Sequence, residues 1–158
     1  MRIPFFGHKF IFEWFFKWER PQRDPYSLET IVKDVLPESK NELINELRKR
    51  IMNAADSGNP TTSEDRLASA LGAAVYSRWE FEFYRKQWPR EGIATRDIIC
   101  EALGKADALL VRLVAALQAL KSDHLKKFVL PAGVPALEFE EALGPVRNEV
   151  RVAVVAGR

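Results

Sequence analysis

From Thr95 to Leu120 the chain runs without a proline, and Ile99, Ala102, Leu103, Ala106, Leu109, Leu110, Leu113, Leu117 and Leu120 recur at spacings of three and four. That is the period of a helix, and Thr95 and Asp97 are suited to open it. Between Ala108 and Leu120 apolar residues reach most of the circumference, which predicts a helix surrounded by others. The rest of the chain must supply those neighbours, so this segment becomes the central hydrophobic helix of a bundle.

The neighbours are legible from their caps and stops. Ser27 can cap a short helix that runs through Leu36 and stops at Pro37. Ser39 and Glu42 form a capping-box pair, followed by an apolar face of Leu43, Ile44, Leu47, Ile51 and Ala54 and a charged face of Glu38, Glu42, Glu46 and Arg50. That helix ends near Ser57 and Gly58. Thr61 or Thr62 restarts the pattern, with Leu67, Leu71, Ala74 and Val75 at helical spacing. Residues Trp79 to Phe83 alternate like a strand, but no turn signal divides them from what precedes, and Arg78, Glu82 and Lys86 stand four apart, so the helix continues to Pro89. Lys121 to Pro135 reads as a connection, and Pro135 as the first residue of a short helix through Leu143, stopped by Gly144 and Pro145. The tail has two readings: Val146, Val150 and Val154 share a helical face, while Val150, Val152 and Val154 share a strand face. The expected fold is all-α, an irregular bundle of about five or six helices, with a short C-terminal strand as one reading of the tail. Its divisions are an aromatic leader over 1–26, a bundle over 27–145 and a tail over 146–158.

At 158 residues one domain buries roughly 68 to 70% of its extended surface, enough for a core without metal or disulfide. Lys and Arg number 24 against 22 Asp and Glu, a net charge of +2 with acids interleaved along the chain, which argues against a dedicated polyanion binder. The densest basic run, Arg48, Lys49 and Arg50, reads as a solvated helix end. The single cysteine, Cys100, lies beside Ile98 and Ile99 and reads as a buried, inert thiol. With only His8 and His124 besides, a Cys/His zinc cluster is excluded. Neither Glu-x-x-His pairs nor a Gly-x-Ser-x-Gly, Walker or dinucleotide pattern occurs, so no catalytic residue, cofactor or metal is expected. Asp97 and Glu101 read as surface acids paired with Arg96 and Lys105, and His124 as a residue suited to a helix C-terminus. Arg112, flanked by Leu109, Leu110, Val111, Leu113 and Val114, must reach solvent, pair with an internal acid or meet a partner.

Two aromatic segments carry the functional reading. In the leader, Phe5, Phe6, Phe10, Phe12, Trp14, Phe15, Phe16 and Trp18 hold six of the chain's ten phenylalanines and two of its four tryptophans. As a helix from about His8, the leader leaves only Lys9, Glu13 and Lys17 as a polar stripe. Such a segment needs cover on several sides, and interface cores are rich in aromatics. The expectation is a non-enzymatic interaction or scaffold subunit that docks through these rings onto a larger protein assembly, or onto a further copy of itself. Peripheral membrane contact suits Trp and Phe, although interfacial helices carry a broader basic face. The second segment interleaves Trp79, Arg85, Lys86, Trp88 and Arg90 as single-strand nucleic-acid platforms do, an alternative reading as an RNA or single-stranded DNA module. A small helical enzyme or ligand-binding bundle is the third. No stretch reaches the roughly 20 apolar residues of a membrane span. His8, Lys9 and Glu13 interrupt the only signal-like stretch, which favours a cell or organelle interior.

Overall fold

The computed structural model describes residues 24–58, 62–87 and 93–153. Among these residues it is an all-α bundle of five α-helices, α1 (Leu28–Val35), α2 (Glu42–Asp56), α3 (Ser63–Gln87), α4 (Ile93–Ala119) and α5 (Phe139–Leu143), with 3₁₀ turns at Asp123–Leu125, Ala136–Glu138 and Gly144–Val146.

Ser27 begins α1 by accepting a hydrogen bond from the Thr30 N–H at 3.2 Å, and Leu28, Ile31, Val32 and Val35 turn one stripe into the core. Past the helix end, Arg48 of α2 donates to the Leu36 and Pro37 carbonyls at 2.8 and 2.7 Å. This satisfies backbone acceptors that Pro37 prevents the helix from pairing.

The start of α2 corrects the capping box expected at Ser39 and Glu42. The cap is Asn41, whose Oδ1 accepts from the Leu43 and Ile44 N–H groups at 2.9 and 3.3 Å, while the Ser39 hydroxyl accepts from the Asn41 N–H. An amide does here what one hydroxyl cannot. With its oxygen spent on the helix, its Nδ2 donates to the Ile98 carbonyl at 2.9 Å and to Glu101 at 3.0 Å, tying α2 to α4. Along α2, Ile44, Leu47, Ile51 and Ala55 are buried, and Leu43 and Ala54 lie half-buried at the margin. Arg50, read as part of the charged face, reaches sideways to Glu80 at 2.6 Å.

Thr62 accepts from the Asp65 N–H at 3.0 Å and α3 then runs through the stretch that alternates like a strand. Helical spacing sends Phe81 into the core and leaves Phe83 on the surface. α4 touches α1, α2 and α3 and buries Ile99, Ala102, Ala106, Leu109, Leu110, Leu113, Val114, Ala116 and Leu117. It is the central helix, beginning two residues ahead of Thr95. Among the described residues its neighbours do not surround it: Ala108, Val111 and, just past its end, Leu120 are exposed, because α1, α2 and α3 cover one side.

α4 ends in a Schellman turn, with the Lys121 and Ser122 N–H groups bonded to the Gln118 and Leu117 carbonyls. Lys121 takes the left-handed position, φ 55°. Pro135 precedes the 3₁₀ turn Ala136–Glu138 rather than opening an α-helix, and α5 starts only at Phe139. The tail forms neither a further α-helix nor a strand as far as Ala153. A 3₁₀ turn is followed by one parallel bridge between Phe128 and Val152, held by bonds from the Phe128 N–H to the Arg151 carbonyl and from the Ala153 N–H to the Phe128 carbonyl, each 2.9 Å. Val146 and Val150 join the common core. No helix among the described residues is long and apolar enough to cross a membrane.

Candidate functional site

The eight leader rings, with Trp88 and Arg90, lie outside the described residues. Trp79, Arg85 and Lys86 lie within them, on the outer side of α3. Tyr76, Trp79 and Phe83 stand at intervals of three and four, which places them on one face. Their rings form a continuous ladder: Tyr76 and Trp79 have centroids 5.9 Å apart at 40°, and Trp79 and Phe83 stack at 5.8 Å and 24°. Such offset pairs contribute about 0.5–1.5 kcal/mol beyond the area they bury.

The loop that follows the Asp123–Leu125 turn edges the ladder. Glu138 accepts from the Trp79 indole N–H at 2.7 Å. Gly133 lies so close to Tyr76 that a Cβ would stand 3.1 Å from its ring. Three large apolar side chains of this region remain open to solvent: Phe83 at 45%, Val129 at 76% and Leu137 at 100%. Beside the ladder runs a shallow groove of about 570 Å³, floored by Gly72 and Ala73 and walled by Tyr76, Val129 and Pro131. At its rim Arg50 sits 5.9 Å from the Tyr76 ring centre.

The cations around these rings are engaged by acids. Arg78 pairs with Asp107 at 2.5 Å and donates to the Glu141 carbonyl. Arg85 pairs with Glu82, and Lys86 with Glu141 at 2.5 Å. The bond from Arg85 holds the Glu82 carboxyl below its ordinary range, against the opposing effect of burial. Glu141 raises Lys86 by the same logic. Burial pulls Arg50 down, but Glu80 and Glu46 outweigh it and the net shift is upward. Burial raises the Tyr84 phenol.

Other residues singled out in the sequence are scattered. Cys100 is exposed, a correction to the buried thiol expected from its neighbours, since one residue turns about 100° round the helix and Ile99 takes the core side. Glu101 serves Asn41. Arg112 bonds Asp34 and the Pro25 carbonyl, each at 3.3 Å, while keeping 35% of its side chain exposed. His124 lies in the 3₁₀ turn, 3.6 Å from Asp65. Among the described residues no group of three or more His, Cys, Asp or Glu could hold a metal ion. Tyr76 and Phe83 were within reach of sequence reasoning through their spacing from Trp79. Val129, Leu137 and Glu138 come from a distant loop, and no local pattern marks them. Comparison with known proteins finds no family model, no curated protein and no solved structure that matches the chain.

Proposed function

We propose that the protein is an interaction or scaffold subunit that docks onto a protein partner through the aromatic face of α3. One observation carries this reading: exposed Phe83 ends a stacked ring ladder beside a groove edged by exposed Val129, fully exposed Leu137 directly precedes the Glu138 that bonds Trp79, and the neighbouring cations are already matched by carboxylates. Aromatic anchors with few free charges describe the centre of a protein interface. A phosphate backbone would have to displace Asp107, Glu82 and Glu141 from Arg78, Arg85 and Lys86, so the ladder suits a protein better than a nucleic acid. The proposal needs nothing from residues 1–23.

The test is mild co-purification of the full chain beside the double variant Phe83→Asp, Leu137→Asp. Leu137 is fully exposed and Phe83 nearly half so, so the bundle should keep its helical circular dichroism and lose no more than about 1–2 kcal/mol, the value of the Trp79–Phe83 stack with the ring's partial burial. A stoichiometric companion of the parent chain that the variant loses supports the reading. Equal recovery by both chains overturns it, and a companion RNA whose binding weakens steeply with salt favours the nucleic-acid module.

A further inference from the structure

At the C-terminal end of α4 the cations are not matched as they are around the ladder. An open pocket of about 440 Å³ lies where this helix end, the Asp123–Leu125 turn and the tail meet, lined by Gln118, Lys121, Leu125, Lys126, Glu149 and Arg151, with Ser122 at its corner. Three cations line it against one carboxylate, a formal excess of two positive charges. Among the described residues neither Lys121 nor Arg151 has an acid within ion-pair distance, and Lys126 reaches Asp123 only at 3.9 Å, with both side chains mostly in solvent.

The backbone sets these groups in place. Arg151 is bonded on both sides, its N–H to the Leu125 carbonyl at 2.8 Å and its carbonyl to the Phe128 N–H at 2.9 Å, so the tail delivers its cation to the turn at a fixed position. Ser122, 5% exposed, holds the corner: its hydroxyl donates to Glu64 at 2.6 Å and accepts from the His124 N–H at 3.1 Å. Lys121 is an independent sign. It keeps a left-handed backbone, φ 55°, where glycine would cost less. A cation suits the C-terminal dipole of α4, but Lys126 and Arg151 already stand at that end, so the dipole does not call for a strained lysine. Strain kept at a pocket is accounted for when the strained residue supplies the chemistry, here an ammonium.

We propose that this pocket binds a small phosphate monoester, its phosphate held by Lys121, Lys126 and Arg151 and its hydroxylated body by Gln118 and Glu149 over Leu125. A phosphate ester carries about −1.5 to −2 charges near pH 7, the size of the local excess, and its three terminal oxygens give each cation an acceptor. A monocarboxylate offers one charge and two oxygens. A free phosphate ion would meet Glu149 only as repulsion, whereas a sugar hydroxyl donates to it. The excess is local, which is how a chain whose acids and bases interleave overall still holds an anion here. The pocket is separate from the α3 ladder, and the two readings fail separately.

Calorimetric titration of the full chain with ribose 5-phosphate, inorganic phosphate and ribose tests the site. Ribose 5-phosphate should bind with a dissociation constant on the order of a millimolar, the range expected of a ligand of its size. Inorganic phosphate should bind several-fold more weakly and ribose not measurably. Arg151→Gln and Lys121→Gly should each weaken binding about tenfold, while Lys49→Gln, which removes the same charge from an exposed position on α2, should leave it unchanged. Relief of the left-handed strain should make Lys121→Gly more stable than the parent, so its weaker binding would have no origin in a damaged fold. No saturable binding at tens of millimolar, or an equal loss in Lys49→Gln, overturns the proposal. Inorganic phosphate bound as tightly as the ester overturns it in favour of a simple ion site, and tighter binding to phosphatidylserine vesicles than to ribose 5-phosphate overturns it in favour of a lipid surface.

Discussion

The guanidinium of Arg78 lies directly against Gly144, where a Cβ would stand 2.6 Å from its central carbon. Arg78 thereby pins the end of α5 to α3 and α4 at once, through the Glu141 carbonyl and Asp107. Gly144 also holds φ 52°. Gly144→Ala should lower stability by about 2 kcal/mol, combining a left-handed backbone penalty of about 1 kcal/mol with the loss of charged hydrogen bonds. In an Arg78→Ala background the same change should cost about 1 kcal/mol, because only the backbone term remains. Urea unfolding of the four chains measures the difference, and strict additivity would refute the coupling.

Asn41, only 5% exposed, caps α2 with its oxygen and holds α4 with its nitrogen. Asn41→Ser keeps a capping oxygen and loses the bonds to Ile98 and Glu101, whereas Asn41→Ala loses both. The alanine variant should be the less stable of the two by about 1 kcal/mol, the usual value of a cap. Denaturant midpoints give the order, and equal midpoints would mean that the helix does not use the cap.

These two residues mark where the sequence was readable and where it was not. Helices announce themselves through local period and local stops, so α1, α2, α3 and α4 follow from Ser27, Pro37, Gly58 and the leucine spacing. The displaced cap at Asn41 could not be read locally, because what favours it over Ser39 is a pair of acceptors on α4, nearly sixty residues away. The exposed side of α4 escaped for a related reason: alanine and valine count as apolar in any pattern, yet small side chains bury little area and need no cover. The α3 ladder was half legible. Tyr76, Trp79 and Phe83 share a helical face, but Leu137, Val129 and the carboxylates that engage Arg78 and Lys86 arrive through tertiary packing.

Lys121 takes a backbone conformation that favours glycine, at the residue that ends the Schellman turn of α4. An L-residue there costs about 1 kcal/mol, part of which glycine gives back through its more flexible unfolded chain. Lys121→Gly should therefore raise stability by a few tenths to about 1 kcal/mol, seen as a higher unfolding midpoint. A lower midpoint would show that the lysine side chain holds the turn in some other way.

The pairing of Glu82 with Arg85 has a pH signature. The folded carboxyl titrates below its ordinary value near 4.5, so its contribution is complete above that value and disappears as pH falls through the lower, folded one. Glu29, lowered by the bond from Arg66, behaves the same way. Glu82→Gln should be less stable than the parent at pH 7, and the gap should narrow at pH 3. Urea midpoints of both chains at the two pH values provide the check, and a gap of constant size would remove the pairing as its cause.

Gly72 floors the groove beside Tyr76, within α3, and a Cβ built there meets nothing within 4 Å. A helix-interior glycine costs about 0.5–1 kcal/mol relative to alanine, so on stability alone Gly72→Ala should be an improvement of that size. The same methyl group would make the groove shallower next to the ring ladder. If a partner side chain enters there, Gly72→Ala raises the unfolding midpoint and weakens partner capture together, a combination that damage to the fold cannot produce. Thermal unfolding and co-purification on one preparation separate the cases: a stabilised chain that captures its partner undiminished would place the contact on Phe83 and Leu137 and leave the groove empty.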